Sequence, residues 1–344
     1  MPVHLVRSSG SLWVAVIGTV ALISAVACSG ASATPSATSA ATTAPPAASV
    51  MASTGPSAVA SQATAASASG MPAVSEDPTL RAEVPPQYRS KATLTVATTV
   101  FPPFEIFGTN NAIEGADPDL YAALGRVLGL KFSIINTTFA SIIPGIQSGR
   151  YDLSSPLGDF VERQATVSFV DYSKGGSSAL VNAAGSFQPS SVLDLCGHTI
   201  GIETGSAETN VTQAISQMCQ QAGKPALTVN NYPDVAAASL AVKSGRVDAL
   251  LTDSAANGYD ATQSNGQFVS DGLSGGDAIP GWGATFGIVF QKGSGLGTAL
   301  LGALQKLVQT GVYQQIYAKW GLQNNTIPLD RMKIDGSTAH QKQS

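Results

Sequence analysis

The chain has 344 residues and a formal net charge of −4, and only 12% of its residues are charged. Nucleic-acid binding needs clustered Lys and Arg against the phosphates, so this balance argues against a nucleic-acid partner. The three Cys and three His are scattered and cannot form a zinc site at ligand spacing, and we expect neither a metal nor a cofactor. The length allows two domains.

Residues 1–28 have the features of an export signal. His4 and Arg7 precede the apolar run 12–27, which fits a signal peptide better than a full membrane span. Small residues followed by Cys28 resemble a bacterial lipobox, in which that Cys is acylated, although Ala25 stands where Leu is usual. We expect an extracytoplasmic protein attached to the membrane by a lipid on Cys28. Ordinary cleavage with secretion and an uncleaved anchor are the alternatives.

The next segment, residues 29–84, is predicted to be a disordered tether. Up to residue 75 it consists almost entirely of Ala, Ser, Thr, Pro and Gly, without aromatic residues or alternation. Such a segment cannot bury enough apolar surface to offset its chain entropy. The folded part is therefore predicted to begin near Pro85.

From Pro85 to about Asp330, strand-like and helix-like segments alternate, which predicts an α/β architecture with mostly parallel sheets. Asp117 is interpreted as an N-cap followed by Pro118 at the first helical position, and Gly129 ends that helix. The second half repeats the alternation, with strands at 198–202, 227–230 and 247–252 and a helix at 207–222.

Several short motifs occur together in one order over residues 91–327. They are Phe101-Pro102-Pro103-Phe104-Glu105, Gly115-Ala116-Asp117-Pro118-Asp119-Leu120, Ser148-Gly149-Arg150-Tyr151-Asp152, Glu162-Arg163, Gly205-Ser206, Gly245-Arg246-Val247-Asp248-Ala249 with Asp253, and Ile316-Tyr317-Ala318-Lys319-Trp320-Gly321. In this order and spacing the chain resembles the extracytoplasmic solute-binding proteins of polar amino-acid uptake, solute-binding family 3, of the actinobacterial type.

The resemblance implies a two-lobed, periplasmic-binding-protein-like (type II) fold, with two mostly parallel sheets flanked by helices and joined by a hinge. Lobe 1 is expected over residues 85–182 and 282–330, lobe 2 over 183–281, and a flexible tail over 331–344. The resemblance also implies a monomer that captures an amino acid by closing its lobes and delivers it to an ABC permease in the membrane. It implies a binding protein rather than an enzyme.

The resemblance assigns three residues to the polar head of the ligand. Arg163 matches the family's Arg for the α-carboxylate, because a guanidinium fork fits a carboxylate; the alternative is a surface Arg. Ser206 follows Gly205 between a strand and a helix start, where backbone N–H groups attract anions, and an N-cap role is compatible with this. Asp253 matches the family's Asp for the ligand ammonium, with a helix N-cap as its alternative.

Aromatic and loop residues complete the expected site. Phe101 and Phe139 match the aromatic pair around the ligand side chain, with core packing as the alternative. Thr98 stands where lysine- and arginine-binding members have Asp, so a neutral or acidic ligand is expected rather than a basic one. Gly158, like Pro156, stands where hydroxyl residues are frequent, as Ala207 does later in the chain, and Asp159 is a further polar candidate.

Cys196 and Cys219 are expected to form a disulfide, since both fall in the expected second lobe and related actinobacterial sequences share the arrangement; two free buried thiols are the alternative. Two other functions stay open. Some relatives are dehydratases of cyclic carboxylic acids, for which a cleft carboxyl such as Asp159 or Glu203 would act as acid or base. A sensor subunit that reports the ligand to a membrane partner is the other.

Overall fold

The computed structural model describes residues 74–109 and 112–341. The predicted signal peptide, Cys28 and most of the predicted tether lie outside these residues. In the described part, two five-stranded sheets each carry helices on their faces, and the chain passes twice between them.

The chain first builds most of the sheet that we assign to lobe 1. In chain order the elements are α1 (Pro78–Glu83), α2 (Pro86–Arg89), β1 (Leu94–Thr98), β2 (Ile106–Phe107), β3 (Ile113–Glu114), α3 (Ala116–Leu128), β4 (Phe132–Asn136), α4 (Phe139–Gln147), β5 (Leu153–Gly158), α5 (Val161–Gln164) and β6 (Val167–Lys174).

It then builds the sheet that we assign to lobe 2 and returns to lobe 1. The lobe 2 elements are β7 (Ser177–Asn182), β8 (Thr199–Glu203), α6 (Glu208–Gln221), β9 (Thr228–Tyr232), α7 (Val235–Lys243), β10 (Ala249–Asp253), α8 (Ser254–Gln263) and β11 (Phe268–Asp271). The elements after the return are β12 (Thr285–Gln291), α9 (Leu296–Gln309) and α10 (Val312–Lys319).

Both sheets are mostly parallel, as predicted, and each contains one strand that runs the other way. The lobe 1 order is β4-β1-β5-β12-β6, in which β12 is antiparallel to both neighbours. The lobe 2 order is β11-β7-β10-β8-β9, in which β7 is antiparallel to both neighbours. The reversed strand is in each case the first strand after a crossover.

The central strand of the lobe 1 sheet is buried on both faces. All six residues of β5 are buried, because helices cover both faces of the sheet. Helix α9 contributes Leu300, Ala303, Leu304 and Leu307, which recur at helical spacing and are 0% exposed in the lobe 1 core. Lobe 2 has its own core, so each lobe buries apolar surface independently.

The two crossovers run side by side and form the hinge. Ser177 N donates to the Trp282 carbonyl at 2.7 Å, and Gly175 N donates to the Ala284 carbonyl at 2.8 Å. The first crossover therefore lies at residues 175–176, ahead of the predicted boundary at Asn182. Strand β7 pairs with β10 and β11, which places it in lobe 2 and corrects the predicted range of lobe 1.

The folded part begins before Pro85. Asp77 caps α1 by accepting from Thr79 N and Leu80 N, and its Oδ2 receives Lys306 Nζ at 2.6 Å. Arg81 Nη1 donates to the Leu128 carbonyl at 3.2 Å. The sequence contains an Asp-Pro helix start here. A helix of this length is not stable by itself, so it depends on these long-range contacts.

The segment predicted as a flexible tail, 331–344, packs against lobe 1 as far as it is described. Met332 is 2% exposed in the core. Asp171 N donates to the Lys333 carbonyl at 2.9 Å, and Asp335 N donates to the Phe169 carbonyl at 3.0 Å. Strand β6 is at the edge of its sheet, and the tail satisfies backbone groups that this edge leaves unpaired.

Asp117 is not an N-cap. Helix α3 begins at Ala116, and the Asp117 carboxyl is buried, where it accepts from the Tyr172 hydroxyl at 2.6 and 2.8 Å. Burial raises the pKa of Asp117 to about 6. The predicted end of this helix is confirmed, since Gly129 has φ +61° and closes it in the left-handed conformation.

Candidate ligand-binding site

A cavity of about 60 Å³ lies between the lobes. Both crossovers and the carboxyl ends of β1, β5, β8 and β10 reach it, which is where open α/β sheets place their ligands. Its lining consists of Thr99, Phe101, Phe139, Pro156, Gly158, Phe160, Arg163, Gly176, Ser177, Glu203, Ser206, Ala207, Glu208, Thr252, Asp253, Gly281, Trp282, Ala284 and Phe286.

Lobe 1 contributes the only cationic side chain among these lining residues. Arg163 is 7% exposed, and its guanidinium carbon lies 5.6 Å from the centre of the Phe139 ring and 5.1 Å from that of Phe160. Its Nη1 donates to the Gly158 carbonyl at 3.0 Å. Burial lowers the pKa of Arg163 to about 10, opposed mainly by the charge of Glu208, so the group stays cationic at neutral pH.

Lobe 2 presents two carboxyl groups where β8 ends and α6 begins. Glu203 is the last residue of β8 and is 3% exposed; Glu208 is the first residue of α6 and is 9% exposed. Gly205 turns the chain between them with φ +83°. Burial, with the nearby charge of Glu208, raises the pKa of Glu203 to about 8. Burial also raises the pKa of Glu208, whose Oε1 accepts from the Ser177 hydroxyl at 3.3 Å.

A third carboxyl group stands next to the hinge. Asp253 caps α8 by accepting from Ala255 N at 2.9 Å, and its Oδ2 accepts from Gly176 N at 2.8 Å. The side chain is 4% exposed, and burial raises its pKa to about 7. A carboxylate offers about four acceptor positions, so this capping role leaves room for a ligand donor.

The lobes touch each other beside the cavity. The Thr99 hydroxyl at the end of β1 donates to Glu203 Oε1 across the cleft at 3.4 Å. Phe101 packs against the cores of both lobes and forms an edge contact with Phe286 at 6.1 Å between ring centres. The structure is therefore a closed arrangement of the two lobes, with the charged side chains inside.

The structure brings together most of the residues that the sequence singles out. Those that line the cavity are Arg163, Asp253, Ser206, Phe101, Phe139 and Gly158. The alternatives raised for several of them are also present: Asp253 is an N-cap, and Phe101 and Phe139 pack against hydrophobic clusters as well as facing the cavity.

Thr98 and Asp159 do not line the cavity. Thr98 is 1% exposed, and its hydroxyl donates to the carbonyls of Thr99 and Ser155 inside lobe 1. Asp159 points away from the cleft and accepts from Gln164 Nε2 at 2.8 Å and from Ser337 N at 3.1 Å. In an extended chain neighbouring side chains point to opposite sides, so the residue beside a lining residue faces away.

Sequence reasoning missed several lining residues, above all Glu208 and Trp282. Glu208 stands three residues after Gly205 in the first turn of a predicted helix, a position typical of structural acids. Only its burial beside Arg163 marks it as part of the site. Trp282 lines the cavity because it lies on the second crossover, and no local sequence pattern indicates the path of that crossover.

Cys196 and Cys219 form a disulfide, as the resemblance predicted, with 5.6 Å between their Cα atoms. It links the turn before β8 to the end of α6. Over residues 74–109 and 112–341, no group of three or more His, Cys, Asp or Glu is arranged to hold a metal ion. Over those same ranges no helix has the length and apolarity of a membrane span.

The two lobes, the paired crossovers and the enclosed charged cavity define a class, the two-lobed proteins that bind a small solute in a closing cleft. Residues 94–323 match the family described as bacterial extracellular solute-binding proteins, family 3, and the chain belongs to that family.

Relatives and solved structures agree with the family. The chain is 32% identical over 253 residues to the arginine-binding protein ArgT of Corynebacterium glutamicum, covering 73% of this chain and 81% of that one. It is similar to an ancestral arginine-binding protein bound to arginine, with 31% identity, a TM-score of 0.57, and 67% and 98% of the two chains covered. It is also similar to an ancestral amino-acid-binding protein, a precursor of cyclohexadienyl dehydratase, with 26% identity, a TM-score of 0.57, and coverage of 68% and 97%.

Proposed function

We propose that this chain is the substrate-binding component of an ABC importer and that it captures an amino acid with a cationic side chain, of the arginine class. One observation carries the proposal: a buried guanidinium and three buried carboxyl groups share one closed cavity between the lobes. The two similar proteins described as arginine-binding agree with this choice of ligand.

The ligand α-carboxylate is assigned to Arg163. Its guanidinium is held between two aromatic rings, so little side-chain entropy remains to be lost when a ligand binds. Arginine has five N–H donors, and the contact with the Gly158 carbonyl uses one of them. The fork geometry then favours a bidentate contact with a carboxylate. Ser206 faces the same cavity from the start of α6 and adds a hydroxyl.

The ligand α-ammonium is assigned to Asp253 and Glu208. Both carboxyl groups have raised pKa values because they are buried, with no neighbouring cation strong enough to offset the burial. A bound ammonium supplies that cation and stabilises the ionised form. Three carboxyl groups against one guanidinium give the lining an excess of acids, which favours a ligand with more than one positive charge.

Glu203 is assigned to the side-chain cation. Burial raises the pKa of Glu203 to about 8, and this carboxyl group is within hydrogen-bond distance of Thr99 on the opposite lobe. A cation placed here would contact both lobes and favour closure. The neutral or acidic ligand expected from Thr98 loses its support, because Thr98 does not face the cavity whereas Glu203 does.

Calorimetric titration of the exported protein tests the ligand class. L-Arginine is expected to bind more tightly than L-glutamine, and L-glutamate most weakly, because its second carboxylate would face Glu203. Arg163→Ala is expected to weaken binding about 30-fold or more, the cost of removing one partner of a buried charge pair. Tighter binding of L-glutamate than of L-arginine would contradict the cationic assignment, and silence from every amino acid would contradict the uptake function.

A matched pair of variants separates Glu203 from general charge effects. Glu203→Gln is expected to weaken L-arginine binding about tenfold, because a charge-assisted hydrogen bond contributes about 1.5–3 kcal/mol, and to leave L-glutamine binding nearly unchanged. Glu83→Gln removes the same charge from an exposed position on α1 and is expected to change neither affinity.

An enzymatic function is the second candidate, and Glu203 is the observation that favours it. A cavity carboxyl with a pKa of about 8 holds its proton at neutral pH and could act as a general acid. The chain is also similar to an amino-acid-binding protein described as a precursor of cyclohexadienyl dehydratase, which names a reaction to test. Loss of a cyclohexadienyl carboxylate on incubation with the protein, abolished in Glu203→Gln, would favour the enzyme over the binding protein.

The remaining features of the proposal concern the cell. We assign the folded part to the outside of the membrane as a monomer, held by a lipid on Cys28 and docking on a permease carried by a separate chain. Globomycin-sensitive processing and labelling of the protein with a fatty acid, both lost in Cys28→Ala, would support the anchor. Release of unlabelled wild-type protein into the medium would contradict it.

A further inference from the structure

We propose that residues 335–341, here called the C-terminal strap, position Arg163 for the ligand. The strap lies beyond the family match, which ends at residue 323. It leaves the edge of β6 at Asp335, passes over α5 and ends at Gln341 beside the second crossover. This inference rests on the proposed function, in which Arg163 binds the ligand carboxylate.

Helix α5 cannot hold Arg163 in place by itself. It consists of four residues, Val161–Gln164, and Phe160 at its start provides no side-chain cap. A helix this short forms too few internal hydrogen bonds to offset the entropy of nucleation. The position of the guanidinium therefore depends on what holds the helix from outside.

The strap holds all three of the other residues in α5. Val161 N donates to the Ala339 carbonyl at 3.0 Å, and Gln164 Nε2 donates to the Ser337 carbonyl at 2.9 Å. Glu162 Oε2 accepts from Gln341 N at 2.9 Å. The remaining residue of the helix is Arg163, which lines the cavity.

The strap also fixes the loop that leads into α5. Ser337 N donates to Asp159 Oδ2 at 3.1 Å, and Asp159 directly follows Gly158, whose carbonyl receives Arg163 Nη1. The Gln164 amide links the loop to the strap, because its Nε2 donates to Asp159 Oδ1 in the loop and to the Ser337 carbonyl in the strap. The strap thus supports the guanidinium from the helix that carries it and from the carbonyl that it contacts.

At its other end the strap approaches the hinge. The Gln341 carbonyl oxygen lies 3.5 Å from the position that a Cβ atom on Gly281 would occupy. Gly281 directly precedes Trp282, and both line the cavity. At its start, Gly336 lies so close to Asp171 that a Cβ atom would be 2.6 Å from Asp171 Oδ2. The strap therefore fits lobe 1 closely from β6 to the crossover.

The test compares L-arginine binding in two variants of the exported protein that lose strap contacts, here called the strap variants: a chain that stops after Asp335, and Gln164→Leu in α5, which loses the side-chain bond to the Ser337 carbonyl. Both are expected to weaken binding, the truncation by about tenfold or more, because the contacts it removes include a hydrogen bond to a carboxylate. Gln147→Leu makes the same change at an exposed position on α4, and Thr338→Ala changes an exposed strap side chain. Both controls are expected to bind as the wild type does.

A double-mutant cycle distinguishes positioning from general stability. If the strap acts through Arg163, Gln164→Leu is expected to weaken binding much less in an Arg163→Lys background, where the fork geometry is already lost. The melting temperature of each ligand-free variant is measured alongside. Equal fold-changes in both backgrounds, or a lowered melting temperature with an unchanged dissociation constant, would assign the strap a structural role only and overturn the inference.

The remaining outcomes separate this inference from the proposed function. A wild-type protein that binds no amino acid overturns both. A wild-type protein that binds another amino acid overturns the arginine class alone, and the strap variants are then compared with that amino acid. A wild-type protein that binds L-arginine, with strap variants that bind it equally well, overturns the role of the strap alone. Should the truncated chain fail to fold, Gln164→Leu decides the question, because it leaves the backbone contacts of the strap in place.

Discussion

The affinity for L-arginine should rise steeply between pH 6 and pH 8. Burial raises the pKa of Glu203 to about 8, so in the ligand-free protein this carboxyl is mostly protonated at pH 6. A cationic side chain bound beside it favours the ionised form and lowers its pKa. Binding then releases a proton, and by linkage the association constant increases with pH until the ligand-free group is itself ionised.

The size of this change in affinity follows from how far pH 6 lies below the pKa of Glu203 in the ligand-free protein. At pH 6, two units below the ligand-free pKa of about 8, ionising Glu203 for the bound cation costs about 2.7 kcal/mol at 1.36 kcal/mol per unit, which weakens L-arginine binding about 100-fold relative to its limit at high pH. Asp253, with a pKa of about 7, adds about tenfold at pH 6 for any ligand whose ammonium it binds.

Calorimetry with two ligands separates these contributions. L-Glutamine shares the α-ammonium but lacks the side-chain cation, so its affinity is expected to change only by the contributions of Asp253 and Glu208. The additional pH dependence of L-arginine binding is assigned to Glu203. The additional proton that L-arginine releases on binding, measured by repeating the titration in buffers of different ionisation enthalpy, is assigned to the same group. Equal pH dependence for the two ligands, or an undiminished difference in Glu203→Gln, would refute the assignment.

Three further predictions concern stability. Reducing the disulfide, or replacing Cys196 and Cys219 by Ser, is expected to lower the free energy of unfolding by about 3 kcal/mol in urea titrations, and an unchanged midpoint would contradict this. Burial, together with the nearby charge of Asp159, raises the pKa of Asp171 to about 8, so its contribution favours the folded state at low pH and is lost as pH rises towards 8. Asp171→Asn should therefore stabilise the protein at pH 8.5 and have little effect at pH 5, and equal effects at both values would count against it. Gly149→Ala should lower stability by about 1–2 kcal/mol, because Gly149 has φ +72° with open space around it, and a stability equal to wild type in the same titration would speak against a conformational cost.

The raised pKa values in the cleft are a consequence of the closed arrangement of the lobes. Glu203, Glu208 and Asp253 are buried without a compensating cation in the protein strong enough to keep their pKa values near normal. Their desolvation is the cost that a cationic ligand would offset. The same argument explains why Arg163 keeps its charge, since the carboxylates around it oppose the effect of burial.

The local sequence pattern was sufficient to predict the alternation of strands and helices, the mostly parallel sheets and the end of α3 at Gly129. Hydrophobic periodicity and glycine conformation act over a few residues, and such features are readable without the fold. The resemblance added the family, the two lobes and the pairing of Cys196 with Cys219, because order and spacing of motifs carry information that composition does not.

Only the tertiary structure decided which side chains face the ligand and where the folded part begins and ends. Thr98 and Asp159 stand beside lining residues yet point elsewhere, whereas Glu208 occupies an ordinary helix-start position and faces the cavity. Residues 332–341 look unstructured in sequence, but 332–335 cover the open edge of β6 and 336–341 contact α5 and the loop before it. Facing direction and edge covering depend on neighbours far away in the chain, and no local window contains those neighbours.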